Sequence, residues 1–362
     1  KSIRATFDGT VIGITGSVGK TSTKEMLASA LGNEFEVLKT EGNLNTEYGV
    51  PKTWMELMPS HRFAVIEMGM RGIGQIRDLC NMSQPEVGVI TAIGSAHIGE
   101  LGSLEMIKQA KSELFESLPS EGFAVAPFSA DLEYLRSKAA CNVMTFGKEV
   151  GADSQVVRSH VDVDSNETSA VLSVRGIEIS VRIPAIGLHQ ATNAAAAMLV
   201  CSELGVDLED AADRLQRARL PYDRLRSVHY RGATILVDVY NSSPESCREA
   251  LAVLRATRAT GNRIAILGDM KELGNLSVEL HQAVGREAAS IVDKLVAVGD
   301  YSREVVAGAK QVDANIDASA FENSDIIVEA IRSLRAGDVA LVKGSRALRL
   351  EETLREAEVD LV

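Results

Sequence analysis

Thr15-Gly-Ser-Val-Gly-Lys-Thr-Ser22 lies between a β-branched run, Val11-Ile-Gly-Ile-Thr15, and a helical pattern over residues 21–31. A strand, a glycine-bearing loop and a helix in that order commit the chain to a parallel sheet with helical crossovers. Gly16 and Gly19 let the backbone turn tightly and aim its N–H groups at a phosphate. Lys20 is placed to reach β- and γ-phosphates, and the Thr21 hydroxyl to ligate Mg²⁺, with Ser17 and Ser22 completing the loop. The helix N-terminus adds partial positive charge. The full G-x-x-x-x-G-K-[ST] spacing is absent, because Ile14 stands where its first glycine belongs; a shorter G-x-x-G-K-T remains. A glycine turn that merely caps a helix is the plainer alternative. The strand–loop–helix setting together with Gly-Lys-Thr favours nucleotide binding.

The same alternation continues. Residues 62–67 and 87–91 read as buried strands, and 104–118 as a helix. Over 153–183 the pattern changes to approximate period two with polar turns between, which predicts a small antiparallel appendage. Helices resume at 189–204 and 208–217. Leu220-Pro-Tyr-Asp-Arg-Leu-Arg226 marks a boundary. A second α/β series follows, with strands over 233–238, 263–268, 294–299 and 338–343 and helices over 244–256 and 277–291. The expected fold is α/β: a P-loop parallel-sheet domain with its appendage over 1–219, then a Rossmann-like domain over 220–362. Clefts between domains are common ligand sites.

Bulk properties remove several classes of function. The chain of 362 residues carries a net charge of −12, so no nucleic-acid footprint is expected. Cys80, Cys141, Cys201 and Cys247 are scattered, with no C-x-x-C pair, and read as reduced thiols of a cytoplasmic protein. No apolar run reaches the ~18 residues of a membrane span, and the N-terminus lacks a signal-peptide core.

Ligands of an open parallel sheet sit beyond the carboxyl ends of its strands. Glu67 ends one predicted strand, and His97 lies just past another in Ile93-Gly-Ser-Ala-His97. A buried acid needs a partner, and a metal is one. A structural salt bridge for Glu67 and an ordinary satisfied histidine at 97 are the bland readings; a shared rim with Lys20 raises both. Lys111 on the following helix reads, from its spacing alone, as an exposed lysine.

Together these segments resemble the Mur ligase family. The motifs that carry the resemblance are the phosphate loop, Gly42-Asn-Leu-Asn-Thr-Glu-Tyr-Gly-Val-Pro51, Glu67-Met-Gly-Met, Ile93-Gly-Ser-Ala-His97, Ala110-Lys-Ser-Glu113, Gly187-Leu-His-Gln-Ala-Thr-Asn193, Asp238-Val-Tyr-Asn241, Leu267-Gly-Asp-Met-Lys-Glu-Leu-Gly274 and Lys343-Gly-Ser-Arg346. The last two are the most specific, and resemble the member that adds the final dipeptide. The resemblance implies ATP-driven joining of a carboxylate to an amine through an acyl phosphate, with a UDP-linked peptide and D-alanyl-D-alanine as substrates, Mg²⁺ as cofactor, and a monomer in the cytoplasm. It implies phosphate contacts at Lys20 and Thr21, and a metal site at Thr21, Glu67, His97 and Lys111, the lysine being carbamylated. It gives nucleotide contacts to Asn193, near the adenine, and to Arg224, Asp238, Tyr240 and Asn241. Asn43, Asn45, Lys343, Ser345 and Arg346 are implied on the substrate side.

This sequence departs from the family pattern at Ala92, where Asn is usual, at Asp223 before Arg224, at Val239 before Tyr240, and in Pro127-Phe-Ser-Ala-Asp131. Family members also carry an N-terminal domain that holds the UDP-sugar, whereas the first strand here begins around residue 10. A truncated ligase or a natural two-domain relative would fit, truncation being favoured because the remaining motifs are so complete, and either is expected to bind nucleotide well and acceptor poorly. Two other readings stay open: a folylpolyglutamate synthase-like or cyanophycin synthetase-like amide ligase, and a P-loop module that binds nucleotide without ligation.

Overall fold

The computed structural model describes residues 3–221 and 225–361. The chain divides into two compact units. The first runs to Leu220, apart from Val161–Asn166 and Ala185–Gly187, which cluster with the second; the second otherwise starts at Pro221.

The first unit opens with β1 (Thr10–Thr15), α1 (Lys20–Leu31), β2 (Val37–Lys39), α2 (Gly49–Met55), β3 (Phe63–Glu67), α3 (Gln75–Ser83) and β4 (Val87–Ile90). It continues with α4 (Ile98–Leu101), α5 (Leu104–Glu116), β5 (Phe123–Pro127), α6 (Leu132–Lys138) and β6 (Asn142–Gly147). Three long strands follow, β7 (Ser154–Asp162), β8 (Glu167–Val174) and β9 (Ile177–Ile183), then α7 (Leu188–Glu203) and α8 (Leu208–Leu215). All nine strands form one sheet in the order β2-β3-β1-β4-β5-β6-β7-β8-β9.

β1, β3 and β4 pair in parallel, and nearly every residue in them is buried. Strands covered on both faces require such continuous apolar runs, which is why they were readable. The antiparallel pairing expected over residues 153–183 forms between β8 and β9, but it is joined to the main sheet. β7 pairs in parallel with the free edge of β6, Phe146 against Ser154 and Gly147 against Gln155, so the antiparallel strands extend the main sheet. Pairing that edge satisfies backbone groups a separate appendage would leave exposed. β8 and β9 alternate buried and exposed residues, the mark of a sheet wet on one face. Alanine-rich α7 is buried along most of its length and packs on α1, bringing a third element to the phosphate loop.

The second unit contains β10 (Arg226–Tyr230), β11 (Ala233–Asp238), α9 (Pro244–Ala256), β12 (Arg263–Gly268), α10 (Ser277–Ala289) and β13 (Lys294–Val298). It closes with α11 (Ser302–Val312), β14 (Asp317–Phe321), α12 (Ile326–Arg332), β15 (Val339–Lys343) and α13 (Leu350–Glu356). Its sheet order is β10-β11-β15-β12-β13-β14, parallel except for β10. Ile235, Val237, Ile266, Val296, Ala340 and Val342 supply the inner strands' share of its core. No helix among the described residues is long and apolar enough to cross a membrane.

Candidate active site

The phosphate loop is fastened to the exit of β4. The Thr91 hydroxyl donates to the Val18 carbonyl at 2.6 Å, and the Ser17 amide to the Ala92 carbonyl at 2.8 Å. The Ser17 hydroxyl donates to the Gly94 carbonyl at 3.0 Å and accepts from the Gly94 amide at 2.9 Å. Gly16 has no room for a side chain, since a Cβ there would lie 1.9 Å from Thr91 Oγ1. Gly19 caps α1 with φ of 84°, a left-handed conformation that glycine adopts without penalty. Asn193 of α7 presses on the loop: a Cβ on Gly19 would meet Asn193 Oδ1 at 2.7 Å. Gln190 steers that amide by accepting from Asn193 Nδ2 at 3.1 Å. Lys20 Nζ donates to the Gly16 carbonyl at 2.7 Å. Thr21 follows in the first turn of α1, half-buried, and Ser22 is buried.

Glu67 ends β3, pairs in register with Ile14, and is only 1% exposed. Its Oε1 accepts from Asn45 Nδ2 at 2.8 Å, and its amide donates to Thr40 Oγ1 at 3.0 Å. Among the described residues its Oε2 is buried with no hydrogen-bond partner, and Lys24 Nζ lies 4.0 Å from it. A buried carboxylate oxygen left in that condition is costly, and a divalent cation would remove the cost. Among the described residues no three His, Cys, Asp or Glu side chains gather to hold a metal. A single carboxylate nonetheless suits Mg²⁺, which takes one or two protein oxygens and completes its shell with phosphate and water.

Lys111 is buried inside the unit at 1% exposure, which corrects its reading as an exposed lysine. Spacing along one helix could not show which face α5 turns to the sheet. Burial, reinforced by the charge on Lys20, pushes its amine well below the ordinary lysine value. That shift favours the uncharged, nucleophilic form of the nitrogen, which lies near enough to Lys20 to feel its charge. Glu113, two residues on, serves structure: its carboxylate accepts from the Gly74 and Arg77 amides at 2.6 and 3.1 Å, at the start of α3. His97 begins α4 in a left-handed conformation, with Nδ1 3.8 Å from Glu100 Oε2. Asn43 is exposed on the loop before α2.

In the second unit, Asp238 and Lys343 face each other in register at the ends of β11 and β15. Lys343 Nζ donates to Asp238 Oδ2 at 2.6 Å and to the Asn241 carbonyl at 2.9 Å, so the buried ammonium is neutralised within the strand ends. Asn241 is exposed, and the Arg346 guanidinium lies 5.4 Å from the centre of the Tyr240 ring. Ser345 is buried, its hydroxyl lacking a hydrogen-bond partner among the described residues and its amide donating to the Asp269 carbonyl at 3.1 Å. Arg224 lies outside the described residues.

Asp269 ties this end of the sheet together. Its carboxylate accepts from Lys271 Nζ at 2.9 Å and from the Asp300 and Tyr301 amides at 3.0 Å each. Burial alone would raise its pKa; those donors more than offset it and hold the carboxyl below its ordinary value. His281 Nε2 accepts from the Met270 amide at 2.9 Å, and its ring stacks on Tyr301 at 4.6 Å. Burial pushes this imidazole below its usual pKa, against the pull of the Ser277 carbonyl.

The Mur ligase middle domain family matches residues 14–201, more than half of the chain, and the Mur ligase glutamate ligase domain family matches 223–346. This chain belongs to the Mur ligase family. Two curated relatives are named UDP-N-acetylmuramoyl-tripeptide–D-alanyl-D-alanine ligase. The one from Bacillus subtilis is 33% identical over 96% of this chain and 75% of its own length. The one from Synechocystis is 35% identical, over 96% and 74%. A crystal structure of MurF from Acinetobacter baumannii superposes with a TM-score of 0.89 at 32% identity, covering 98% of this chain and 78% of that one. MurF from Thermotoga maritima, in complex with ADP, gives 0.84 at 31%, covering 99% and 81%.

For this Mur ligase, the strand, glycine-bearing loop and helix expected around residues 11–31 form as β1 and α1, but sequence reasoning missed the side chains that brace that loop. Thr91, Lys24 and His281 carry no local signal of their own. Asp269 and Lys271 do fall inside the Gly-Asp-Met-Lys-Glu-Leu-Gly motif, and Gln190 inside Gly187-Leu-His-Gln-Ala-Thr-Asn193, and those two motifs were the available pointers.

Proposed function

We propose that this Mur ligase uses ATP to activate the terminal carboxylate of UDP-N-acetylmuramoyl-tripeptide and joins it to the amine of D-alanyl-D-alanine, releasing ADP and phosphate. The observation that carries the reading is a braced phosphate loop one strand away from Glu67, whose Oε2 is buried without a hydrogen bond. The relatives' shared name, at identities above 30% over nearly the whole chain, supports the substrates.

A carboxylate is a poor electrophile. Transfer of the γ-phosphoryl group converts its oxygen into a leaving group, and the amine then displaces phosphate at carbon. Catalysis rests on alignment and charge neutralisation. Lys20 exchanges the Gly16 carbonyl for phosphate oxygens, and the loop amides with the α1 N-terminus hold the remainder. Thr21, Glu67, His97 and a carbamate on Lys111 would hold Mg²⁺, which supplies positive charge at the phosphates. A neutral amine adds to carbon dioxide with loss of one proton, so the low basicity of Lys111 favours that anion. Asn193 positions the loop beside the nucleotide. Asp238, Tyr240, Asn241 and Arg224 serve the nucleotide, and Asn43, Asn45, Ser345 and Arg346 the peptide and amine. Lys343, committed to Asp238, orders the strand ends. The enzyme works as a cytoplasmic monomer.

The test mixes protein, ATP, Mg²⁺, bicarbonate, the UDP-linked tripeptide and D-alanyl-D-alanine, and follows phosphate and peptide product together. Both should form only in the complete mixture. Phosphate release without acceptor, or a preference for glutamate over D-alanyl-D-alanine, would sink the proposal.

A further inference from the structure

Lys24 stands out among the charged side chains that the proposed mechanism does not use. It lies on α1, one turn past Lys20, and is fully buried at 0% exposure. An ammonium buried alone is costly, so its partners explain its presence. Nζ donates to the Thr40 carbonyl at 2.6 Å, lies 2.8 Å from Glu25 Oε1, and reaches the Gly42 carbonyl at 3.4 Å. Its fourth neighbour is Glu67 Oε2, at 4.0 Å. Glu25 is itself held from the other side by Lys39.

These contacts converge on one carboxylate. Thr40 precedes the loop that carries Asn45, and Asn45 holds Glu67 Oε1 at 2.8 Å. The Thr40 hydroxyl accepts from the Glu67 amide at 3.0 Å. Lys24 therefore pins the backbone of the loop that grips one oxygen of Glu67, and places its own charge beside the other. At 4.0 Å it attracts Oε2 without occupying it by a hydrogen bond. An ion-pairing hydrogen bond at that oxygen would compete with a metal, whereas this spacing aims the oxygen and leaves it open.

We infer that Lys24 is a positioning residue for the metal site: it couples the phosphate-loop helix to the 40–45 loop and fixes the Glu67 carboxylate for Mg²⁺. The inference rests on the proposed role of Glu67 as a metal ligand, and deepens it. Removing an outer partner of a metal ligand costs about 10- to 100-fold in metal affinity.

The experiment is calorimetric titration of ADP into the whole protein, in EDTA and across a Mg²⁺ series, for wild type, Lys24→Met, Lys24→Gln and Glu67→Gln. Lys24→Gln keeps a donor within the 40–42 loop but carries no charge, and serves if the methionine variant does not fold. The expected result is an affinity in EDTA within twofold of wild type for every folded variant, with the Mg²⁺ enhancement shifted to at least about tenfold higher Mg²⁺. A general structural loss would lower both affinities together, and would overturn the inference. Unchanged Mg²⁺ dependence in a folded Lys24 variant, beside a loss in Glu67→Gln, would overturn the role of Lys24 alone. Unchanged dependence in Glu67→Gln would remove the metal reading itself, and the inference with it.

Discussion

Lys111 is the residue whose environment most alters its chemistry. Its amine is buried, and burial first and the charge of Lys20 second both disfavour its protonated form. Between its lowered pKa and the ordinary 10.5, the folded chain binds fewer protons than the unfolded chain, so stability rises with pH across that window. The cost of burying the lysine is therefore fully present at low pH and fades toward 10.5. In bicarbonate-free buffer, Lys111→Met should raise the thermal midpoint at neutral pH, with a gain that shrinks as the buffer approaches that value. An equal gain at every pH would show that packing, and not the amine's proton, sets the difference. Glu67, Asn45 and Lys24 carry the same lesson from the other side of the rim. Each is intelligible only through its neighbours, and those neighbours lie about twenty to forty residues away in sequence.

At the scale of elements, the strands that build the rim were legible because they are short, β-branched and buried on both faces. Strands at 11–15, 62–67 and 87–91 fell within a residue or so of β1, β3 and β4. Those at 233–238 and 263–268 coincide with β11 and β12. β14 escaped because Asp317–Phe321 has no fully buried position, and α2 because seven residues around Pro51 show no period. The phosphate loop was legible because its parts are contiguous. The bracing of Asp269 was not, because its donors come from loops after different strands and meet only once the sheet is ordered β15-β12-β13. Asp269→Asn keeps the shape but removes the charge that three donors share. It should cost about 3 kcal/mol of unfolding free energy, read from denaturant titration. It should also raise the KM for the amine more than that for ATP. A stability loss with both KM values unchanged would confine Asp269 to the fold.

For the molecule as a whole, the single tryptophan gives one unit a voice of its own. Trp54 is buried in the first unit, its ring edge-on to Phe7 at 5.8 Å, and the second unit has no tryptophan. A ligand at 100 times its Kd stabilises the state it binds by about 2.7 kcal/mol. Saturating Mg²⁺ and ADP should therefore raise the unfolding midpoint seen by tryptophan fluorescence. If fluorescence ignores ADP while calorimetry records binding, the nucleotide does not engage the phosphate loop of that unit.

The Lys20 contact has a further consequence. Its ammonium already donates to the carbonyl of Gly16, so an anion arriving at the loop trades one acceptor for another. The loop is a rival for its own lysine, and the net heat released there is the difference between a carbonyl and the newcomer. Chloride or a single sulfate oxygen gains little by that exchange. A polyphosphate, presenting several charged oxygens to the lysine and the loop amides at once, gains much more. On the proposed reading, that standing bond sets a threshold that only a ligand engaging the lysine and several amides together would clear, as a nucleotide's phosphates would.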